Sequence, residues 1–332
     1  MIGDGMGLSQ ISGALYSSRR GLQLERFHNI GLQKTRCKDA LVTDSAAAAA
    51  AMARGVKVDK NTFGTNEKTT APPSILEIMK AQGWAVGMVV TCSVTHATPA
   101  AFVTYQYQRS MYEEIATDYL KTDVDYLVGG GKEYFDRRSN DDRNLIAELQ
   151  KKDVVIKSYL DGPITDVNIN PEHRFTYFSA DSEPLSHSAG RTYFQPACER
   201  GLIFLERRSD KGFFLMIEGS QIDWGGHANV DELVIEEIKE FDGVIGKILD
   251  FAEKDGETLV VVTADHETGG FSIVGENQKG EPEVSFISKD HTATMVPVFA
   301  YGPGSEKFAG VYENTEIHDK ILEAIHLSTE VK

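Results

Sequence analysis

Ser74 to Thr91, SILEIMKAQGWAVGMVVT, joins an amphipathic segment that stops at Gly83 to a nearly unbroken apolar run, Ala85–Thr91. Apolar positions at helical spacing followed by a glycine mark a helix and its C-terminal cap. Apolarity without alternation marks a strand covered on both faces, as in a parallel sheet. The same grammar recurs at Phe213–Ile217, Thr258–Thr263 and Val296–Tyr301. Before Thr258 lies Asp231–Lys254, whose Leu233, Val234, Ile238, Phe241, Ile245, Ile248, Leu249 and Phe251 fall near helical spacing behind an acidic N-cap candidate. Helix alternating with strand predicts an α/β fold: one domain over residues 1–332, built on a large, mostly parallel sheet flanked by helices on both faces.

Around that core the sequence predicts peripheral structure. Residues 137–200 are more polar and lack a clean period, so loops are expected there, with Asn140–Lys151 as a candidate helix. Gly269–Phe286 reads as a hairpin, FSIVG and EVSF about the turn ENQKGEP. Six alanines, Ala46–Ala51, favour a closely packed helix capped by Gly55. Met1–Gly7, MIGDGMG, reads as the end of a buried strand entering a glycine-rich turn, so we expect a natural chain that extends further toward its N-terminus, with any export signal outside this sequence.

Composition narrows the function. Thirty-four Lys and Arg against fifty Asp and Glu leave a formal charge of −16, which argues against non-specific nucleic-acid binding and against docking on an anionic membrane, and no nucleic acid is expected as a specific partner. The longest wholly apolar run, Ala46–Ala53, is far short of the roughly 20 residues that span a bilayer as a helix. Cys37, Cys92 and Cys198 are widely spaced, with no CxxC pair; one disulfide remains open.

Ligands of open α/β sheets bind beyond the carboxyl ends of the strands. Asp4, Glu218, Asp265 and His266 sit at such ends. Asp223 and His227 are four apart in Glu218–His227, EGSQIDWGGH, which suits either a plain ion pair or a divalent metal with mixed oxygen and nitrogen ligands. Two such clusters plus Asp4 favour metals. Ser45 opens the alanine helix, as an N-cap beside Asp44 or as a nucleophile where exposed amides and the helix dipole favour an oxyanion. Arg109 follows His96-Ala97-Thr98-Pro99 and is either a surface residue or the bidentate partner of a phosphate.

In order along the chain, Gly3-Asp4-Gly5-Met6-Gly7, Thr43-Asp44-Ser45-Ala46-Ala47, His96-Ala97-Thr98-Pro99-Ala100 with Arg109, Glu218–His227, Thr263-Ala264-Asp265-His266 and His291-Thr292 resemble the alkaline phosphatases, bacterial type. That resemblance implies hydrolysis of small phosphate monoesters at alkaline pH through a phosphoserine at Ser45, with two zinc ions and one magnesium. It implies Asp223, His227 and His291 on one zinc, and Asp4, Asp265 and His266 with the Ser45 oxygen on the other. Magnesium would take Asp4, Thr98 and Glu218, with His96 standing where some relatives carry Asp and others His. Arg109 would grip the phosphate, with Asp44 supporting it or the local amides. It also implies a homodimer exported to the periplasm or beyond. A phosphodiesterase of the same superfamily and a non-catalytic phosphate or metal binder are the alternatives. A sulfatase would need a Pro and an Arg after its nucleophile, which Ser45-Ala46-Ala47-Ala48 lacks.

Overall fold

The computed structural model describes residues 1–66 and 68–326, in two compact units: 1–60 with the residues from 219 onward, and 61–218. Each carries a run of five strands. In the second unit the order is Phe213–Gly219, Ala85–Ser93, Tyr126–Gly130, Arg174–Phe178 and Val154–Ser158, every neighbouring pair parallel. All nine residues of Ala85–Ser93 are buried, as its continuous apolarity requires. The helix before it, Ile75–Ala81, is closed at its start by a Ser74–Glu77 capping box, and Gly83 takes the left-handed conformation at φ +86°.

In the first unit the order is Gly310–Glu313, Asn29–Lys34, Val296–Tyr301, Val260–Ala264 and Ile2–Gly3. The outer pairs are parallel. Val296–Tyr301 runs antiparallel to both of its neighbours, so its apolar run records burial on two faces and not strand direction. The helix Ser45–Arg54 is buried at every position, which alanine side chains permit, and Gly55 ends it at φ +69°. The long helix Asp231–Asp255 buries Val234, Ile238, Phe241, Ile245, Ile248 and Leu249, whereas Leu233 and Phe251 at its edge are only half-buried. Its N-cap is Val230, with Asp231 already inside the first turn, so the acidic residue serves the helix dipole and does not cap.

Phe241 is fully buried against Gly219, where a Cβ would come within 3.0 Å of its ring. Phe241→Ala should therefore cost about 3–5 kcal/mol, read as a fall in denaturation midpoint at unchanged m-value.

Two expectations in the middle of the chain need correction, and one open question is answered. Residues 137–200 are not only loops: Val154–Ser158 and Arg174–Phe178 are strands of the second unit's sheet. Arg174–Phe178, RFTYF, hides its core character behind Tyr and Thr; Phe175, Thr176, Tyr177 and Phe178 are all buried, and the Tyr177 hydroxyl donates to the Gly162 carbonyl at 2.9 Å. The helix expected over Asn140–Lys151 spans Leu145–Lys151, because Asn144 caps it by accepting from the Ala147 amide. No disulfide joins Cys37, Cys92 and Cys198. The expected hairpin is present, as Ser272–Glu276 paired antiparallel with Pro282–Ser285. No helix among the described residues is long and apolar enough to cross a membrane.

Candidate metal centre and nucleophile

Strand register assembles the first unit's cluster. Gly3 pairs with Ala264 in the parallel ladder, so the next residues, Asp4 and Asp265, leave the sheet side by side. The Gly5 amide donates to Asp265 Oδ1 at 3.0 Å. Gly5 sits at φ +70°, and a Cβ there would stand 2.9 Å from the Asp223 backbone, so the turn after Asp4 requires glycine twice over. Asp223 and His227 share one side of the helix Gln221–Ala228. A two-residue antiparallel ladder, His291 opposite Thr268 and Thr292 opposite Glu267, delivers the last histidine.

Three imidazoles converge on carboxylates. His227 Nε2 is 3.1 Å from His291 Nε2 and 3.3 Å from Asp223 Oδ2, and His291 Nε2 is 3.5 Å from Asp223 Oδ1. His266 Nε2 lies 3.1 Å from Asp265 Oδ2, 3.6 Å from Asp4 Oδ1 and 3.3 Å from Ser45 Oγ. Donors sharing one tetrahedral ion at zinc bond lengths stand about 3.3 Å apart, which these separations match. The remaining ring nitrogens have partners of their own: Nδ1 of His227 faces the Lys289 carbonyl, Nδ1 of His291 the Thr43 carbonyl at 3.0 Å, and Nδ1 of His266 the Thr268 hydroxyl at 3.2 Å. A carbonyl only accepts, so His227 and His291 carry their neutral-form proton on Nδ1 and aim Nε2 lone pairs at one another. That arrangement is repulsive unless a proton or a metal ion sits between them, and outward hydrogen bonding of this kind is what orients metal-ligating histidines. The donor set fits two divalent ions.

Electrostatics agree. Burial opposes ionisation of Asp223 most strongly, yet hydrogen bonds with His227 and His291 hold its carboxyl well below the usual carboxylate range. The Asp223 hydrogen bond raises His227 to about 9. For His266, burial works against the charge, but Asp265 overcomes it and raises the imidazole above its usual value. The metal-free cluster thus holds protons where an ion would otherwise be. His227 pairing contributes stability that is fully present below its unfolded value of about 6.5 and is lost as pH rises through about 9. Metal uptake has the opposite sign: binding displaces the His227 proton, so apparent zinc affinity should climb from pH 6.5 to about 9 and then level off, measured by competition with a chelator of known protonation.

Ser45 is buried at the first turn of its helix. Asp44 is the N-cap, accepting from the amides of Ala46 at 3.2 Å and Ala47 at 3.3 Å. Those amides, read from sequence as open to an oxyanion, are therefore occupied, and of the two roles weighed for Ser45 capping falls to its neighbour.

In the second unit Cys92, His96 and Glu218 place donor atoms within 4.8 Å of one another. His96 precedes the short helix Ala97–Ala101, which carries Thr98; the Thr98 Oγ1 is buried and has no hydrogen-bond partner among the described residues. A buried hydroxyl left unpartnered two residues after a His of such a group fits a further cation. Arg109 is half-buried in the loop before Tyr112–Asp118, and its amide donates to the Asn61 carbonyl at 3.1 Å. The buried Asp118 carboxylate shapes that loop, accepting from the Thr104 hydroxyl at 2.7 Å and the Tyr105 amide at 3.2 Å.

Sequence reasoning passed over Thr268, Glu267 and Cys92. Thr268 accepts from His266 and donates to Asp223 Oδ1 at 2.5 Å, tying two ligand groups together. Glu267 is buried and accepts from the amides of Gly270 at 3.2 Å and Phe271 at 3.1 Å, as well as from the Thr292 hydroxyl beside His291. The available signal for both was their place directly after Asp265-His266.

Comparison with known proteins agrees with this architecture. The family profile described as Alkaline phosphatase matches residues 1–165, 196–284 and 277–327. Alkaline phosphatase 3 of Bacillus subtilis (strain 168) is 33% identical over 419 residues, covering 100% of this chain and 89% of that protein. The alkaline phosphatase of the Antarctic bacterium TAB5 superposes with a TM-score of 0.90 at 40% identity, covering 99% of this chain and 97% of that one. A mutant of the TAB5 protein, 39% identical to this chain, was solved with Mg bound in the M3 site. The α/β fold, the ordered motifs and the profile match together place this chain in the alkaline phosphatase family, a family of metal-binding phosphatase enzymes.

Proposed function

We propose that the protein hydrolyses small phosphate monoesters through a phosphoserine at Ser45, with two zinc ions held by the first unit's cluster and a third cation held by residues that include Thr98, His96 and Glu218. The observation that carries this is the meeting of Ser45 Oγ with His266 Nε2 at 3.3 Å, within a set of carboxylates and imidazoles spaced for divalent ions.

When bound, the metals would supply Lewis acidity, lowering the barrier to losing the serine proton and neutralising charge on the transferring phosphoryl group. Ser45 Oγ attacks phosphorus in line, the bond to the alcohol oxygen breaks, and the alcohol departs with a proton from solvent. Water then attacks the phosphoserine, the bond to Ser45 Oγ breaks, and inorganic phosphate leaves. Asp44 keeps Ser45 at the helix start by holding the Ala46 and Ala47 amides. His227 and His291 are fixed by the Lys289 and Thr43 carbonyls, so their Nε2 atoms need no reorganisation. Family resemblance assigns to Arg109 the bidentate grip on the nonbridging oxygens. Resemblance likewise supports export and a homodimer.

The test is turnover of 4-nitrophenyl phosphate against bis(4-nitrophenyl) phosphate at alkaline pH, before and after EDTA and with zinc and magnesium restored. Monoester turnover that EDTA abolishes and metals restore is expected. A metal-replete protein inert toward the monoester overturns the proposal, and a strong diester preference moves it to the phosphodiesterases.

A further inference from the structure

We propose that the Cys92 thiolate is itself a ligand of the third cation, making that site a sulfur, nitrogen and oxygen site that takes zinc in preference to magnesium. This rests on the function proposed above and changes the metal expected there.

The strand ladder brings the three donors together. Val90 pairs with Glu218 in the parallel register of Ala85–Ser93 and Phe213–Gly219, so both side chains leave the same face of the sheet. Cys92 lies two residues beyond Val90, where the pairing with Tyr126–Gly130 shifts register between Val89 and Ser93, at the carboxyl end of the strand before the chain turns toward His96. Its sulfur is 3.5 Å from Glu218 Oε2. A sulfur and an oxygen sharing one tetrahedral zinc stand about 3.6 Å apart, given bonds of about 2.3 and 2.1 Å.

Cys92 and Glu218 are fully buried, and both lie within 4.8 Å of a His96 nitrogen. Thr98 Oγ1, buried and unpartnered two residues after His96, is available as a fourth donor.

Ligand chemistry then selects the ion. Magnesium demands near-octahedral oxygen ligands and keeps several waters. A thiolate with an imidazole and one carboxylate is a soft, low-coordinate set that favours zinc. On binding, the sulfur–metal bond forms and the thiol proton passes to solvent.

Cobalt(II) is the reporter, because thiolate-to-cobalt charge transfer absorbs in the near ultraviolet while oxygen and imidazole ligands give no such band. The protein fully reconstituted with cobalt should show the band. Cys92→Ser should lose it and weaken third-site zinc against buffered magnesium by roughly 10- to 100-fold, whereas Cys198→Ser, in the helix Phe194–Arg208, should keep it. X-ray absorption at the zinc edge of the unaltered protein reads the same bond without any substitution, as roughly one sulfur per three zinc ions at about 2.3 Å.

A cobalt protein without the band, a band that survives Cys92→Ser, or a zinc edge with no sulfur overturns the proposal. Turnover of 4-nitrophenyl phosphate in the same preparation separates the two claims: turnover without sulfur ligation removes this inference alone. Absence of turnover from the metal-replete protein removes the monoester function instead.

Discussion

Ser45→Ala should leave a folded, metal-loaded protein whose turnover of 4-nitrophenyl phosphate is lower by on the order of 10³-fold. The substitution removes one oxygen from the first turn of the helix Ser45–Arg54 and leaves its cap in place, because Asp44 and not Ser45 holds the Ala46 and Ala47 amides. Alanine is the best helix former, so stability should change little. The His266, Asp265 and Asp4 donors remain, and zinc content should stay near that of the unaltered protein. The loss should therefore fall on the chemical step, with the residual rate coming from direct attack of water in a site that still neutralises charge. A large fall in zinc content would instead make Ser45 a structural ligand.

Asp223→Asn should be equally damaging for a different reason. The Asp223 carboxylate meets His227 at 3.3 Å, His291 at 3.5 Å and the Thr268 hydroxyl at 2.5 Å, and it belongs with Asp4 and His266 to a second donor group. An amide keeps the shape but removes the charge from both groups and turns one acceptor into a donor. Zinc affinity should fall about 100-fold or more, with activity following metal occupancy. The metal-free variant gives an independent readout: without the carboxylate that raises it to about 9, His227 should titrate closer to its usual 6.5. An unchanged His227 titration by NMR would show that another group holds its proton.

What the sequence makes legible here follows from how local each signal is. Ala85–Ser93 and the helix Asp231–Asp255 are read correctly because burial on one face or two leaves a period in the residues themselves. The antiparallel course of Val296–Tyr301 is invisible, since direction lies in pairing and not in hydropathy. Arg174–Phe178 is missed because Tyr and Thr score as polar, although Thr176 is buried and Tyr177 is buried with its hydroxyl bonded to the Gly162 carbonyl. Asp4, Ser45, Asp223, His227, Asp265, His266 and His291, picked out by motif and position, come together in the structure. Their mutual distances depend on two ladders, Gly3 with Ala264 and His291 with Thr268, joining residues far apart in the chain. Cys92 is the instructive omission. Cysteine spacing speaks only to disulfides and CxxC pairs, whereas the place of Cys92 at a strand end, four residues before His96, is the signal that groups it with ligand-type side chains.

The excess acid is partly explained by the same geometry. Asp4, Glu218, Asp223 and Asp265 are all buried and grouped with histidines, so four of the fifty carboxylates are removed from the solvated surface.

The most direct measurement of the central claim is the position of phosphate in an acid-quenched turnover mixture. Metal-replete protein mixed with a phosphate monoester, quenched, digested and mapped by mass spectrometry should carry phosphate on the peptide containing Ser45, and Ser45→Ala should carry none. Sustained monoester hydrolysis with Ser45 never phosphorylated, or with phosphate on another residue, would contradict it.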